Sequence, residues 1–394
     1  MTEDLYQMFD RQIQRRNTNC FKYDGLKQMY GKEDLLSLWV ADMDFEVPES
    51  VAEAVKKRAE HAVYGYNMMP DSYFEAFVSW VKKHHQWHVE KEWLSHTPGV
   101  LAALSVALLA FTKEGDEILI QPPVYFPFKM TIEALGRKTI VNQLKYSEGR
   151  FSMDLDDLAE KAKTAKLFIL CSPHNPSGRV WTEEEMKGVE SICRQKDLLV
   201  FSDEIHCDIV YEPDKHIVFG KMSQWAEDHS IIAMAPSKTF NIAGLEMSVI
   251  AIKNTELRAK FQTLLGQGLH MSNPNTLGLV AAEAAYAGGE EWYQTLLKYL
   301  KDNLNYLDGE LKRRVPAISL VYPEATYIPL LDLRALNMKP EKMRRFFIED
   351  VGAALNDGVV FGTGGEQFMR INVGTQRRVL EEFVKRLEKA VSEL

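Results

Sequence analysis

The sequence predicts an α/β fold, with a mostly parallel sheet of the seven-stranded type flanked by helices and a smaller α+β domain beside it. Three observations carry this expectation. Short, continuous apolar runs recur at 117–121, 166–170, 198–201 and 230–234. Helix-length segments separate them. Beyond residue 290 the texture changes to charged helices around brief apolar stretches. A strand that is apolar along its whole length is buried on both faces, as in a parallel sheet covered by helices.

The elements follow in order. Residues 1–45 are polar and irregular and end in Leu38-Trp39-Val40-Ala41-Asp42-Met43-Asp44-Phe45. Pro48 to His61 has helical spacing, and Val100 to Phe111 is a strongly apolar helix. Gly115-Asp116 turns into the strand Glu117–Gln121, and Lys166–Leu170 is the next strand. The helix Thr182–Gln195 opens with Thr182 and Glu185, a capping-box pair. Leu198–Phe201 and Ser230–Met234 are strands, and the helix-length segments between the strands from 117 to 234 make hairpins unexpected there. A helix from Tyr293 to Lys312, an apolar stretch Ile318–Tyr322, a strand-like Thr326–Leu331, and helices at Pro340–Asp350 and Arg377–Leu394 complete the chain. In the last helix Leu380, Phe383, Val384, Leu387 and Val391 line one stripe. The expected division is 1–47 contributing to the small domain, 48–289 as the large domain and 290–394 as the small C-terminal domain.

Bulk properties narrow the function. The formal charge of −9, from 47 basic and 56 acidic residues, argues against a general nucleic-acid binder. Cys20, Cys171, Cys193 and Cys207 lack metal-ligand spacing and read as free thiols. The uncharged run Thr97–Thr112 is only 16 residues, short for a membrane span. A cytoplasmic enzyme with a small-molecule substrate, and no nucleic-acid or membrane partner, is expected. His84, His85 and His88 have no acidic or cysteine partner at ligand spacing, so a solvated face is expected there and no metal site.

Five stretches at or near strand ends carry chemistry, because ligands of doubly wound sheets collect at carboxyl ends. Pro98-Gly99 before an apolar helix leaves backbone N–H groups free for an anion. The stiff Gln121–Pro127 loop carries Tyr125, which can stack on a planar ligand. Prolines and Gly178 in Cys171–Trp181 aim the Asn175 amide. Asp203-Glu204 ends a buried strand, where an acid needs a cationic partner. Lys238, after the strand ending at Met234, lies in an apolar neighbourhood that lowers an amine pKa. A planar, phosphorylated, cationic ring bound to a lysine uses all five, and pyridoxal 5′-phosphate is such a ring.

Taken together, Pro98-Gly99, Tyr125, Asn175-Pro176-Ser177-Gly178, Asp203-Glu204, Ser237-Lys238 and Arg370 resemble the fold-type I pyridoxal-phosphate enzymes, the aspartate aminotransferase superfamily. Within it, VADMDF (40–45), YGY (64–66), SPHNPSGRVW (172–181), SDEIH (202–206), SKTFNIAGL (237–245) and PEATY (323–327) resemble the MalY/PatB-type carbon–sulfur lyases, or cystathionine β-lyases. The resemblance implies α,β-elimination of cystathionine or S-substituted cysteines to thiol, pyruvate and ammonia. It implies that Lys238 bonds the cofactor aldehyde, Asp203 pairs with the pyridinium N–H, and Tyr125 stacks on the ring. Asn175 would meet the ring oxygen, with His206 also in the cofactor site. Gly99, Val100 and Leu101 N–H groups and the Ser237 hydroxyl would hold the phosphate. Tyr66 would reach the partner's cofactor in a homodimer. Arg370 would clamp the substrate carboxylate, with Asn175, Val40 and Ala41 beside it. Trp39, Asp42 and Asp44 either edge that pocket or form a domain-joining turn. An arginine is common eight residues past the lysine in aminotransferases, and here that position is Glu246; His206 stands where many members carry tyrosine. Both departures match the lyase branch. An aminotransferase of the same superfamily is the alternative, and a lyase scaffold with an added regulatory binding role is the second.

Overall fold

The structure is a computed structural model that describes residues 2–394. Seven strands form its main sheet: β1 (Leu94–Thr97), β2 (Glu117–Ile120), β3 (Lys138–Val141), β4 (Leu167–Cys171), β5 (Leu199–Asp203), β6 (Ser230–Met234) and β7 (Ser248–Ala251). Their spatial order is β1-β7-β6-β5-β4-β2-β3. β7 is antiparallel to both neighbours, and all other pairings are parallel. Six strands therefore point the same way.

Both faces of the sheet are covered, and the strand sequences show why. Leu167, Ile169 and Cys171 of β4 face one core, and Phe168 and Leu170 face the other. β6 divides in the same way, with Ile231 and Ala233 on one side and Ile232 and Met234 on the other. The first core is sealed by the apolar helix Val100–Phe111, which buries Ala103, Leu104, Val106, Ala107 and Leu108. On the other face lie the helices Glu49–Glu60, Asp71–His85 and Thr276–Gly288. The helix Glu183–Lys196 carries the expected capping box, with Glu185 N–H donating to Thr182 Oγ1 (3.2 Å) and Thr182 N–H to Glu185 Oε2 (2.9 Å).

A second sheet is built from β8 (Ser319–Val321), β9 (Leu330–Asp332), β10 (Asn356–Asp357) and β11 (Phe368–Arg370), antiparallel in the order β8-β9-β11-β10. The helices Glu290–Arg314 and Arg377–Ser392 pack beside it, the latter burying Leu380, Phe383, Val384 and Leu387. Leu36–Ser37 pairs in parallel with Ala353–Ala354, so the N-terminal segment joins this region.

Four expectations need correction. A hairpin does occur: Lys145–Ser147 pairs with Arg150–Ser152 around Glu148 and Gly149, at φ 51° and 81°, the left-handed geometry that tight hairpins require. The strand-like 326–331 shrinks to Leu330–Asp332, because Thr326 sits at φ 71°, incompatible with a strand, and Pro329 lacks an N–H. The helix from Pro340 ends at Arg345 and passes into a π turn, Phe346–Val351. His85 is buried, not solvated: its Nε2 lies 2.8 Å from Asp208 Oδ1, and His84 pairs with Glu290 at 2.8 Å. The acidic partners lie more than a hundred residues away in the chain, beyond any local spacing rule; only His88 is exposed.

The segment 39–45 crosses between the two sheets and is fastened from several sides. Lys22 is fully buried, with Nζ 2.8 Å from Asp44 Oδ2, and Arg15 bridges Asp42 (2.7 Å) and Asp44 (2.6 Å). Asn372 Nδ2 donates to the Val40 and Asp42 carbonyls, each at 2.6 Å, and Gln376 Nε2 donates to the Asp44 carbonyl at 2.6 Å. Asn241 brackets Met43, accepting from its N–H and donating to its carbonyl, each at 2.9 Å. Asp42 and Asp44 thus form an ordered junction. Burial alone raises the Asp44 carboxyl, yet Lys22 and Arg15 hold it below the ordinary carboxylate range. A depressed carboxyl contributes stability that is lost as pH falls through its folded value. Asp44→Ala leaves Lys22 buried beside a weaker partner, and chemical denaturation should show a loss of about 3–5 kcal/mol at neutral pH, with the gap from wild type narrowing in acid.

Candidate active site

The carboxyl ends of β1, β2, β4, β5 and β6 open on one edge of the main sheet, and the loops leaving them bring the expected residues together. After β1, Gly99 adopts φ 150° and ψ 162°, a region essentially restricted to glycine. It opens the helix Val100–Phe111 with no side-chain cap, so the first N–H groups, including those of Val100 and Leu101, have no partner within the helix. A Cβ added at Gly99 would meet no atom within 4 Å, so the turn fronts open space.

Tyr125 follows β2, with its ring edge-on to Phe128 at 5.5 Å. Asn175 follows β4 in a loop braced by side-chain and backbone hydrogen bonds. His174 is completely buried, with Nδ1 2.8 Å from Ser177 Oγ and Nε2 3.2 Å from the Gln121 carbonyl. Burial pushes His174 down to about 3, so it is a neutral brace for the loop. Gly178, at φ 70°, accepts from Glu324 and Ala325 N–H, both at 2.9 Å, and a Cβ there would stand 2.5 Å from Pro323 Cβ. The loop that aims Asn175 is thereby bolted to the segment 323–327.

Asp203 ends β5. Its Oδ1 accepts from Ile205 N–H at 3.1 Å, and burial raises the carboxyl to about 7 against the opposing pull of that bond and of Lys238. His206 is buried and driven down to about 3 by burial, Lys238 and Arg370; its Nδ1 has no partner. Lys238 lies in the turn Pro236–Thr239 after β6, directly after Ser237, and its Nζ donates to the Ala41 carbonyl at 2.7 Å. Burial lowers the amine to about 8. Thr239 anchors this turn through Oγ1 to Asp208 Oδ2 at 2.6 Å.

Arg370, at the end of β11, reaches in from the second sheet. It donates to Asn175 Oδ1 (3.1 Å), Asn356 Oδ1 (2.7 Å) and the Trp39 carbonyl (3.2 Å), while its buried Nε has no partner. Burial brings the guanidinium down to about 10. The structure thus gathers Tyr125, Asn175, Asp203, His206, Lys238, Arg370 and the backbone of Val40 and Ala41. Tyr66 stands apart, fully exposed. Sequence reasoning missed Asn356 and Tyr327. Asn356 carried no signal; Tyr327 lay in a resembling motif without a role.

These residues fit pyridoxal phosphate. An uncapped helix N-terminus behind a glycine cradle suits a phosphate. A buried carboxylate with one backbone donor suits a pyridinium N–H, and a lysine near 8 suits an aldehyde. The unpartnered Arg370 Nε and His206 Nδ1 are buried polar atoms that call for ligand partners.

Residues 33–387 match the family of class I and II aminotransferases. The chain is 37% identical over 386 residues to cystathionine beta-lyase PatB of Bacillus subtilis, covering 98% of this chain and 100% of that one. It is 31% identical to protein MalY of Escherichia coli, covering 97% and 98%. The crystal structure of cystalysin from Treponema denticola, which contains pyridoxal 5′-phosphate, superposes with a TM-score of 0.94 at 34% identity over 98% of both chains.

The raised Asp203 carboxyl yields a prediction. A folded value near 7 exceeds the unfolded one, so this group's contribution is complete below about pH 4 and is lost as pH rises through about 7. Thermal melts of the cofactor-stripped protein should show that decline between these values, and Asp203→Asn should flatten it while weakening cofactor retention.

Proposed function

The chain belongs to the class I and II aminotransferase family, and we propose that it is a pyridoxal-phosphate-dependent carbon–sulfur β-lyase acting on cystathionine or another S-substituted cysteine. One observation carries this reading. A half-buried lysine, a buried carboxylate and a buried guanidinium converge at the carboxyl edge of the sheet, in a chain similar over its whole length to a named cystathionine beta-lyase.

Bound pyridoxal phosphate supplies the sink for the electrons left when the substrate Cα loses its proton. The Gly99, Val100 and Leu101 N–H groups and the Ser237 hydroxyl would hold the phosphate, and Asp203 would hold the ring N–H. Tyr125 would stack on the ring, and Asn175 and His206 would border it. Lys238 would hold the cofactor aldehyde through its amine. The same amine, lowered by burial to about 8 in the chain alone, is suited to take the substrate Cα proton as a general base. Arg370 clamps the substrate carboxylate through its fork of donors, steadied by Asn356 and Asn175, with the backbone of Val40 and Ala41 alongside. The thiolate leaves from Cβ, and water converts the remaining fragment to pyruvate and ammonia.

The aminotransferase alternative uses the same residues up to loss of the Cα proton. Glu246 is exposed at the position where aminotransferases commonly carry an arginine, which favours the lyase reading.

The assembly is a homodimer in this proposal, and its location is the cytoplasm. Tyr66 is exposed together with Val63, Tyr64 and Met68, and the adjacent face bears Ala54, Val280, Ala284 and Ala287. A fully exposed tyrosine in such a patch suits a subunit contact. Among the described residues no helix is long and apolar enough to cross a membrane.

Purified protein should release pyruvate and thiol from cystathionine faster than it transfers an amino group to 2-oxoglutarate; the reverse ratio would establish the aminotransferase. Lys238→Ala should abolish both turnover and the visible absorbance of lysine-bound cofactor. Arg370→Ala should raise KM about 10–100-fold, the loss expected for a charged hydrogen-bond pair. If Tyr66 serves the partner's site, mixing inactive Lys238→Ala with impaired Tyr66→Ala protein should restore activity through hybrid dimers. A site built within one subunit would give no restoration.

A further inference from the structure

We propose that Tyr327 is a positioning residue: its hydroxyl and the Lys238 amine share the Ala41 carbonyl oxygen, and through that oxygen Tyr327 aims the amine and loosens its hold on a proton. The proposal rests on the lyase reading for what the amine does, but not for how it is held.

The geometry is specific. Lys238 Nζ donates to the Ala41 carbonyl at 2.7 Å, and Tyr327 Oη donates to the same oxygen at 3.0 Å. A carbonyl oxygen has two lone pairs, so the two donors fill it. Neither party is free to drift. Asn372 holds the carbonyls on either side of Ala41, those of Val40 and Asp42. Tyr327 is buried and follows Thr326, a β-branched residue at φ 71°. Such a backbone conformation is unfavourable and persists only where surrounding bonds impose it. Here Thr326 N–H donates to the Ile209 carbonyl (2.8 Å), and Tyr211 Oη donates to the Thr326 carbonyl (2.8 Å). The Glu324 and Ala325 N–H groups bind Gly178, so the segment that aims Tyr327 is joined to the loop that aims Asn175. A tyrosine kept only for packing would need no hydroxyl at this oxygen.

The sign of the effect follows. The tyrosine O–H draws on the oxygen that also stabilises the ammonium form of Lys238, so it disfavours that form. The other groups acting on Lys238 are Asp42 and Asp203, which favour the ammonium, and Arg370, which opposes it; neutral His206 also lies nearby. Removing the tyrosine hydroxyl leaves all of these in place and strengthens the lysine's own bond to Ala41.

The test is the titration of the Lys238 ¹³Cε resonance in the full-length, cofactor-stripped chain, with the signal identified by its loss in Lys238→Ala. Tyr327→Phe should raise the midpoint by about half to one pH unit, the size of one hydrogen bond. In the holoenzyme the acid limb of the kcat profile should move alkaline by the same amount. Then kcat at pH 7 should fall about 3–10-fold with KM within about twofold. Replacing Tyr327 with 3-fluorotyrosine, a nearly isosteric and stronger donor, should move the lysine midpoint down, which keeps the test available if the phenylalanine variant does not fold. An unmoved or opposite midpoint in either folded variant would overturn the proposal. Midpoints that move as stated in a protein without lyase activity would uphold the positioning role and refute the proposed reaction.

Discussion

Six of the seven strands of the main sheet run in one direction, and the rest of the structure depends on that constraint. Parallel strands leave their carboxyl ends on one edge, and each connection must begin there with a loop. Gly99, Tyr125, Asn175, Asp203 and Lys238 come from five separate strands, yet they meet because those strands end together. The reversed strand β7 lies between β1 and β6 and ties the strand before the Gly99 turn to the strand before the Lys238 turn through backbone pairing. Rigid strands thus set the positions, and short loops set the directions.

The sheet supplies only half of the site. Arg370 comes from β11, and the Ala41 carbonyl comes from a segment that belongs to neither sheet. That segment is held by side-chain amides from Asn241, Asn372 and Gln376 and by the Lys22–Asp44–Arg15 ions. Each of these satisfies a backbone or charged group that burial would otherwise leave costly. The two sheets are therefore linked by polar contacts with fixed geometry, at the place where substrate and cofactor groups must be aligned.

The electrostatics of the site are those of a receptor for a charged ligand. Asp203 is raised, and Lys238, His206 and Arg370 are lowered, each chiefly by burial. Groups so poorly matched by their surroundings cost stability in the chain alone, and they cluster where function needs them. The contrast with Asp44 and Asp208 is instructive. Those acids are equally buried but lie below the ordinary range, because Lys22 and Arg15, or His85, Thr239 and Trp80, meet them directly. Acids that brace the fold are satisfied, whereas Asp203, the acid we assign to the ring nitrogen, is held in a state that a pyridinium would relieve.

The sequence by itself determined the sheet-and-helix alternation, the capping box at Thr182, and the loops bearing Asn175, Asp203 and Lys238. These features are local: apolar runs, glycine and proline positions and helix spacing act over a few residues. It also carried family motifs that marked Arg370, although nothing local indicates which sheet delivers that residue or that Asn356 braces it. His85 looked solvated because its partner Asp208 lies 123 residues away. Thr326 looked like part of a strand because its left-handed backbone is imposed by Ile209 and Tyr211, not by its own preference. Only the tertiary structure decided that the Ala41 carbonyl would meet Lys238 and Tyr327. That contact is a backbone atom's, and it joins three distant segments, so no side-chain pattern encodes it; packing and hydrogen bonding across the whole chain put it there.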